Sequence, residues 1–247
     1  LKKAIAKSST IFFRAGVLGG PESIEIIKSK YYIKENLEKL LNFLKLLKKK
    51  KIKKFIFDSS YQVFGNENAI NNEIKPYNYY GLSKLICEKI LINWCKENKV
   101  NLFIFRYPRV VCENSKNFIS NMVLNALNNS ELLLKNFSQK FTFVHLDDVL
   151  NSNILALKSK KKGINIINVS IKKEYNLIEI AELIRSKLKK KFLIKKILNK
   201  SKIFEPKSIK IEKIFFDRSL NSKIEFNLDK IVSKIIKKNN GFKKNNF

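Results

Sequence analysis

Apolar residues recur along the chain in two spacings that alternate with each other. Short continuous runs rich in Ile, Phe and Val predict strands buried on both faces of a sheet. Longer segments at 34–50 and 82–97 carry apolar side chains on one stripe, which predicts helices. Strand and helix in alternation favour right-handed crossovers, so we expect an α/β fold with a doubly wound parallel sheet. The predicted strands cover residues 10–15, 54–59, 102–107 and 164–169.

The alternation loosens after residue 110. Helical patterns at 118–128, 148–158 and 177–189 flank a short apolar run at 132–135. Such a tail after a parallel sheet is typical of a small lobe over the carboxyl ends of the strands, where ligands bind in this class of fold. The predicted divisions are a sheet domain at 1–115, a lobe interleaved with the last sheet elements at 116–236, and a frayed tail at 237–247.

The charge of the chain changes this picture little. The 247 residues carry a net charge of +30 and are 45% hydrophobic, which is enough for one substantial core. A charge of this size ordinarily suggests a nucleic-acid partner. Lys, Ile, Asn and Phe dominate the composition, however, and the Lys runs fall at predicted helix ends and turns. This pattern is typical of AT-rich codon usage and favours a solvated surface over a nucleic-acid site.

Targeting and cysteine patterns favour an intracellular protein. No apolar run reaches membrane length, and the first nine residues are too polar for a secretory leader, so we expect a cytoplasmic protein without a membrane-spanning segment. Cys87, Cys95 and Cys112 form no Cys-x-x-Cys pair. This spacing favours reduced core thiols and predicts no metal site.

The strongest chemical pattern joins a tyrosine, a lysine and a serine. Tyr80 and Lys84 are four residues apart, so on a helix both side chains point into the same cleft. An ammonium near a phenol lowers the pKa of the phenol, which would suit Tyr80 to take a proton from a substrate hydroxyl. Ser60, at the end of the preceding predicted strand, can hydrogen-bond the same oxygen. A Tyr-x-x-x-Lys spacing alone is common by chance, so its context decides.

That context is a series of motifs in a fixed order. They are Ser59-Ser60 at a strand end, Val63-Phe64-Gly65 in the next turn, Tyr80-Gly81-Leu82-Ser83-Lys84 with Glu88 on a helix, a strand ending in Arg106, and the segments 143–149 and 168–170. Together they resemble the extended short-chain dehydrogenase/reductases, and within them the NAD-dependent epimerase/dehydratase family of nucleotide-sugar 4-epimerases. The resemblance implies a Rossmann-like sheet that lacks its first strands, with a small C-terminal substrate lobe.

The resemblance also implies roles for individual residues. Ser60, Tyr80 and Lys84 would be catalytic, with Tyr80 as the base. The implied cofactor is NAD, with NADP not excluded, and the implied substrate is a nucleotide-sugar. The implied cofactor-binding residues are Ala15, Gly16, Asn36, Ser59, Tyr80, Lys84 and Tyr107. The implied substrate-binding residues are Ser60, Gln62, Arg109, Lys140 and His145.

The same resemblance narrows the reaction and suggests an assembly. Sugar dehydratases of this type carry Asp-Glu after the catalytic hydroxyl residue, whereas this chain has Tyr61-Gln62. Neither residue can serve as a carboxylic acid, so we expect epimerisation or simple oxidoreduction rather than dehydration. A homodimer paired through the helices at 34–50 and 82–97 is also implied, with Trp94 as an anchor.

Several positions depart from the family pattern. The Gly-rich phosphate-binding turn after the first strand is absent from these residues, which begin at Leu1. We therefore expect that an N-terminal part is missing and that the chain as given binds the cofactor weakly. Phe13-Arg14 replaces His-Leu, which predicts a charge in a buried strand end. Arg109 replaces an Asn.

Two other functions stay open. Phe141 replaces an Arg that meets the substrate diphosphate, although Lys140 could supply the lost charge. These departures would fit a catalytically lapsed binding protein of the same fold, and the net charge would fit a nucleic-acid binder, which is the less favoured alternative. His145 could be a general base, but because Tyr80 already fills that role we expect His145 to shape the substrate lobe.

Overall fold

The computed structural model describes residues 8–19, 21–47, 50–65, 74–114, 116–128, 131–135, 137, 140–169, 173–197 and 226–244. The strands are β1 (Thr10–Phe13), β2 (Lys54–Ser60), β3 (Asn101–Tyr107), β4 (Arg109–Val111), β5 (Glu131–Lys135), β6 (Lys140–Phe141), β7 (Phe143–His145), β8 (Ile164–Asn168), β9 (Tyr175–Asn176) and β10 (Leu193–Ile197). The helices are α1 (Ser29–Tyr32), α2 (Lys39–Leu47), α3 (Tyr79–Glu97), α4 (Phe118–Asn128), α5 (Leu146–Lys158), α6 (Leu177–Leu188) and α7 (Leu228–Lys244). A π-helical stretch, Ile33–Glu38, joins α1 to α2.

The four predicted strands form one parallel sheet in the order β1-β2-β3-β8. The register pairs Phe13 with Phe57 and Phe57 with Ile104. Apolar side chains of the central strands β2 and β3 are buried on both faces of the sheet. The expectation of burial on both faces is wrong for β1 and β8, where Phe12 and Ile166 are exposed. This sheet, alternating with helices, confirms the predicted α/β fold. Because the strands are parallel, their carboxyl ends meet at one edge.

Helices α2 and α3 cover one face of this sheet. Their apolar residues recur every three to four positions and face the strands, as the stripe in the sequence predicted. Burying each such side chain fully contributes roughly 1.5–3 kcal/mol relative to leaving it in water. The buried cluster contains Leu40, Leu44 and Leu47 of α2, Cys87, Leu91 and Cys95 of α3, and Phe55 and Phe57 of β2.

The expectation that Arg14 would place a charge in a buried strand end is wrong. Strand β1 ends at Phe13, and the Arg14 side chain is 41% exposed. Its Nε lies 2.8 Å from Oδ2 of Asp58. The chain avoids a buried, unpaired charge because Arg14 leaves the strand and finds a carboxylate at the end of β2.

The later elements enclose a second apolar core. Strand β4 pairs with β7 and β10 pairs with β5, both in parallel, while β6 pairs with β9 in antiparallel fashion. Helix α6 begins with a capping box in which Asn176 and Glu179 satisfy each other's backbone N–H groups. Ile180, Ala181 and Ile184 of this helix are buried in the same core.

Residue contacts divide the chain into two units that interleave in sequence. The division falls at Pro108, before the boundary predicted after residue 115, because β4 pairs with β7 rather than with the main sheet. Among the described residues, the first unit comprises those within 8–108 and 150–169, and the second comprises those within 109–149, 173–197 and 226–244.

Helix α7 continues to Lys244, where the sequence predicted a frayed tail from residue 237. Ile231, Val232 and Ile235 are buried on one side of it, and this apolar stripe docks the helix in the second core. Within the described part of the chain, no helix is both long enough and apolar enough to cross a membrane.

Candidate active site

The carboxyl edge of the main sheet gathers the predicted catalytic residues. Ser60 is the last residue of β2, and α3 begins at Tyr79 beside this edge after the turn and loop that follow β2. Tyr80, Lys84 and Glu88 follow one another at four-residue intervals on α3, and all three are buried. One side of the first half of α3 is therefore polar although it faces the protein interior.

Ser60 contacts Tyr80 directly. The Ser60 hydroxyl hydrogen-bonds the Tyr80 side chain, and the Ser60 Oγ also accepts the Gln62 N–H at 3.2 Å. Burial raises the pKa of Tyr80 to about 12; the hydrogen bond from Ser60 opposes this rise, and the neighbouring Tyr32 adds to it. The phenol therefore keeps its proton near neutral pH in the structure as it stands.

The contacts of Lys84 differ from the expected effect of its ammonium on the pKa of Tyr80. Its Nζ donates to the main-chain oxygen of Asp58 at 3.0 Å and lies 4.9 Å from the ring centroid of Phe57. Burial lowers the pKa of Lys84, and attraction to Cys87, Asp58 and Glu88 opposes that lowering. The expectation that Lys84 lowers the pKa of Tyr80 is wrong for this state, because burial dominates at Tyr80 and the ammonium is bound to the β2 backbone.

The start of α3 is fixed by a polar pair. Asn78 is the N-cap residue, and its Oδ1 accepts the Gly81 N–H at 2.7 Å. Its Nδ2 donates to Oε1 of Gln62 at 2.8 Å. Gln62, predicted as a substrate contact, thus ties the turn after β2 to the helix that carries Tyr80. Asn78 was missed in the sequence, although an Asn just before a helix is a usual cap.

A chain of hydrogen bonds links the loop after β1 to the same helix. Asn36 Oδ1 accepts the Val17 N–H at 2.9 Å, and its Nδ2 donates to Ser83 Oγ at 2.9 Å. Ser83 in turn donates to the Tyr80 carbonyl at 2.8 Å. Asn36 lies in the π-helical stretch, a local geometry that is frequent at functional sites. It is buried and bridges two segments that the resemblance assigned to the cofactor.

Glycines let this loop approach closely. Gly16 has φ +145°, and a Cβ there would meet Asn36 Oδ1 at 2.4 Å. A Cβ on Gly19 would meet the Tyr80 ring at 2.5 Å. The loop therefore lies against Asn36 and Tyr80 with its backbone rather than with side chains. Ala15, in the same loop, is exposed.

A buried ion pair holds the end of β2. Arg106, on β3, donates from Nε to Glu88 Oε1 at 3.0 Å and from its terminal NH2 to Oε2 at 2.7 Å. Ser59 also donates to Glu88 Oε1. The Arg106 guanidinium lies 5.0 Å from the ring centroid of Phe64. A bidentate pair of this kind fixes geometry as well as charge, so Ser59 and its neighbour Ser60 are anchored to α3 and β3.

A second polar group on this sheet edge was missed. Besides its pair with Arg14, the Asp58 carboxylate accepts Asn153 Nδ2 at 3.3 Å through Oδ1. Asn153 Nδ2 also lies 3.1 Å from the Tyr107 hydroxyl. Burial raises the pKa of Asp58, and Arg14 opposes that rise. The signal was in the sequence, since Arg14 and Asp58 follow paired residues of adjacent strands and carry opposite charges.

Three residues expected to contact the substrate lie in the second unit. The Arg109 guanidinium is 5.2 Å from the ring centroids of both Phe118 and Phe141. Lys140, on β6, is exposed. His145, at the end of β7, is buried. Their assignment to a substrate stays a prediction.

His145 is held in one orientation within that unit. Its Nδ1 lies 3.2 Å from the Asp147 backbone nitrogen, and its Nε2 lies 3.1 Å from Glu113 Oε2. Glu113 also pairs with Lys234 at 2.9 Å. Burial raises the pKa of Glu113, but hydrogen bonds from Lys234, its own backbone and His145 outweigh burial and lower it to about 2.

The residues present fit the ribose and nicotinamide part of a dinucleotide. Lys84 has three N–H donors, and within the described residues the hydrogen bond that it makes is to the Asp58 carbonyl. Donor capacity therefore remains for a sugar diol beside Tyr80. The loop from Gly16 to Gly19 is bare of side chains where it passes Asn36 and Tyr80. The Gly-rich turn that would cradle the phosphates is not among the 247 residues.

Comparisons with known proteins identify relatives among sugar-nucleotide epimerases. The chain is 31% identical over 170 residues to the ADP-L-glycero-D-manno-heptose-6-epimerase of Brachyspira hyodysenteriae, covering 63% of this chain and 53% of that protein. The chain spans about half the length of the curated relatives it matches.

Two solved structures share the fold. One is the UDP-N-acetylglucosamine 4-epimerase of Methanobrevibacter ruminantium in complex with UDP-N-acetylmuramic acid, with TM-score 0.80, 21% identity and coverage of 96% of this chain and 79% of that one. The other is the UDP-glucuronic acid 4-epimerase of Bacillus cereus in complex with NAD, with TM-score 0.77, 19% identity and coverage of 96% and 77%. The family model for the NAD dependent epimerase/dehydratase family matches residues 1–170. The chain therefore belongs to the NAD dependent epimerase/dehydratase family.

Proposed function

We propose that the protein is an NAD(P)-dependent nucleotide-sugar epimerase, or a closely related oxidoreductase, in which Tyr80 exchanges a proton with a sugar hydroxyl. One observation carries the proposal: the Ser60 hydroxyl hydrogen-bonds Tyr80 at the carboxyl edge of the sheet, with Lys84 one helical turn further along α3. A phenol, a hydroxyl and an ammonium at one edge can bind and deprotonate an alcohol.

The chain's own residues divide this work. Tyr80 Oη takes the proton of the sugar hydroxyl and later returns it, while Ser60 hydrogen-bonds the same oxygen and fixes its position. Lys84, anchored on the Asp58 carbonyl, directs its remaining N–H groups toward a diol. NAD, when bound, would supply the reversible two-electron oxidation at the sugar carbon. Because burial raises the pKa of Tyr80 to about 12, proton transfer needs added positive charge beside the phenol in the loaded site.

We also propose that the protein is a homodimer and that it is cytoplasmic. Leu41 of α2 and Leu82 of α3 are exposed, which supports a homodimer paired through these two helices. Trp94 packs on Phe55 within its own chain, with ring centroids 6.2 Å apart. The buried thiols of Cys87 and Cys95 form no disulfide, which supports a reducing, cytoplasmic location. Light scattering of the purified protein tests the dimer, and a monomer at micromolar concentration would exclude it.

Product analysis tests the proposed reaction. The protein in its full natural length is incubated with NAD and each of a panel of UDP-hexoses, and the sugar epimers are separated by chromatography. Interconversion of C4 epimers at a rate proportional to enzyme concentration is the expected result.

One alternative has its own support. The Arg109 guanidinium lies 5.2 Å from the ring centroids of both Phe118 and Phe141. The resemblance to the family implies an arginine at position 141, and its replacement by Phe fits a protein that binds a nucleotide-sugar without turning it over. Calorimetry on the same panel distinguishes the two functions. Binding of NAD and a UDP-hexose with no product after long incubation would favour the lapsed protein and contradict the epimerase.

A further inference from the structure

Two residues of opposite charge lie side by side near the carboxyl ends of β1 and β2. Phe13 pairs with Phe57 in the parallel register, so Arg14 and Asp58 are the next residues on adjacent strands. Arg14 Nε lies 2.8 Å from Asp58 Oδ2, with side chains 41% and 19% exposed. The pair is therefore more shielded than an ordinary surface ion pair.

Asp58 is the neighbour of the Lys84 ammonium through its main-chain oxygen and of Arg14 through its carboxylate. Lys84 Nζ is 3.0 Å from the Asp58 main-chain oxygen, and the Asp58 carboxylate attracts the same ammonium. Asn153, from α5, donates to the other carboxylate oxygen. One aspartate thus contacts a cation directly after β1, an amide on α5 and the lysine of the candidate site.

Of the other acidic groups near Lys84, one is paired with an arginine and one is uncharged near neutral pH. Glu88, one turn further on α3, is paired in bidentate fashion with Arg106 of β3. Burial raises the pKa of the Cys87 thiol to about 11, so it is uncharged near neutral pH. Asp58 is therefore the carboxylate whose charge is divided between Lys84 and a second, exposed cation.

We propose that Arg14 and Asp58 are positioning residues that set the negative charge felt by Lys84 and hold its ammonium at the carboxyl edge of the sheet. Arg14 neutralises part of the Asp58 charge and draws the carboxylate toward β1. Without Arg14, the full carboxylate acts on Lys84; without Asp58, the ammonium keeps its backbone acceptor and loses its counter-charge. The catalytic meaning of this pair rests on the proposed function, whereas its effect on Lys84 does not.

Titration of Lys84 tests the pair without turnover. The chain is labelled with ¹³Cε-lysine, the Lys84 signal is assigned by its loss in Lys84→Arg, and its shift is followed against pH. We expect Arg14→Leu to raise the pKa of Lys84, because the carboxylate is no longer shared, and Asp58→Asn to lower it. Arg14→Lys keeps the cation and should leave the titration close to that of the unchanged protein.

The double variant separates electrostatics from general disturbance. In an Asp58→Asn background, Arg14→Leu should move the Lys84 titration much less than it does alone, because the coupling runs through Asp58. A structural role alone would shift Lys84 in the same direction in both single variants. Shifts of the same sign, or no shift in either variant, would overturn the proposal.

Kinetics on the full-length protein form a second readout. Both single variants should lower kcat on the order of tenfold with KM changed less than about twofold, because Lys84 is displaced from a working geometry. If the protein turns over no nucleotide-sugar, the proposed function fails while the opposite shifts of Lys84 still stand. If turnover is normal and Lys84 does not respond, the positioning pair fails alone.

Discussion

The two ends of the main sheet use charged residues in different ways, and α3 connects them. At the carboxyl end, Tyr80, Lys84 and Glu88 are buried on α3. At the amino end, Lys96, Glu97 and Lys99 are exposed to water. Buried polar groups need particular partners, whereas solvated charges do not. We therefore expect substitutions to be tolerated at the amino end and costly at the carboxyl end.

A cavity at the amino end of the sheet lacks the groups that could move a proton. A cavity of about 260 Å³ opens at the amino end, where Cys95, Lys99 and Gly163 contribute to its lining. Burial raises the pKa of Cys95 to about 12, so this thiol is unreactive near neutral pH. The hydroxyl, phenol and ammonium that can move a proton lie at the opposite edge.

The largest expected difference between the ends lies in two glutamates of α3. Glu88→Gln leaves the buried Arg106 guanidinium without its counter-charge, which should lower the free energy of unfolding by about 3 kcal/mol. Glu97→Gln, at the exposed end of the helix, is the matched control and should change it by less than about 0.5 kcal/mol. Urea unfolding of the 247-residue chain measures both. Equal losses in the two variants would remove the distinction between the ends.

Two glycines, one at each end of the sheet, allow the same comparison between the carboxyl and amino ends. A Cβ on Gly19 would lie 2.5 Å from the Tyr80 ring, so Gly19→Ala should displace the phenol and lower kcat about tenfold. Gly163, at the amino end, has φ +75° and open space around it. Gly163→Ala should therefore cost about 1 kcal/mol of stability through backbone strain and leave kcat unchanged. A normal kcat in Gly19→Ala would contradict the close contact.

One lysine at the amino end has a structural rather than a chemical task. Lys54 Nζ donates to the carbonyl oxygens of Ala156 and Leu157 at 2.6 Å and of Ser159 at 2.9 Å, at the end of α5. Lys54→Met should cost about 1–2 kcal/mol of stability with kcat unaltered. Lys53→Met, at the exposed neighbouring residue, should cost less than about 0.5 kcal/mol. Thermal unfolding and steady-state assays would show whether the effect extends to catalysis.

The smallest expected effect is the contribution of Lys84 to the free energy of unfolding, as distinct from its proposed role in catalysis. Burial lowers the pKa of Lys84, so the folded chain releases this proton more readily than the unfolded chain. Deprotonation of Lys84 therefore adds nothing to the free energy of unfolding below the pKa that Lys84 has in the folded chain. Its contribution grows as the pH rises from that pKa toward 10.5, the ordinary value for lysine.

Lys84→Met should accordingly raise the free energy of unfolding by roughly 1 kcal/mol at neutral pH, and this advantage should shrink as the pH approaches 10.5. Unfolding curves at several pH values measure it, with Lys96→Met as the control on the same helix. A destabilised Lys84→Met at neutral pH would show that the ammonium stabilises the fold.

The elements and the reactive trio could be predicted because each depends on local spacing. Apolar runs gave the strands, and a four-residue interval placed Tyr80 and Lys84 on one helix face. The electrostatic relation between them could not be predicted, since the partner of Lys84 is a main-chain oxygen of Asp58. The bridging contacts of Asn36 depend on a π-helical stretch that ordinary helical periodicity does not indicate.

The ion pair between Arg14 and Asp58 could have been predicted from the sequence. Each is the fifth residue of its predicted strand, and a parallel arrangement of the two strands would have paired them. Arg14 taken as a lone charge in a buried strand predicts an energetic cost, whereas in the structure it forms an ion pair with Asp58.

The most direct test of the central claim compares two adjacent tyrosines of α3 in the full-length protein. Tyr80→Phe removes the oxygen that Ser60 hydrogen-bonds, and Tyr79→Phe removes a hydroxyl from the neighbouring residue. We expect kcat for nucleotide-sugar epimerisation to fall about a thousandfold in Tyr80→Phe and to stay within about twofold in Tyr79→Phe. An unchanged kcat in Tyr80→Phe would contradict a proton-transfer site at the carboxyl edge of the sheet.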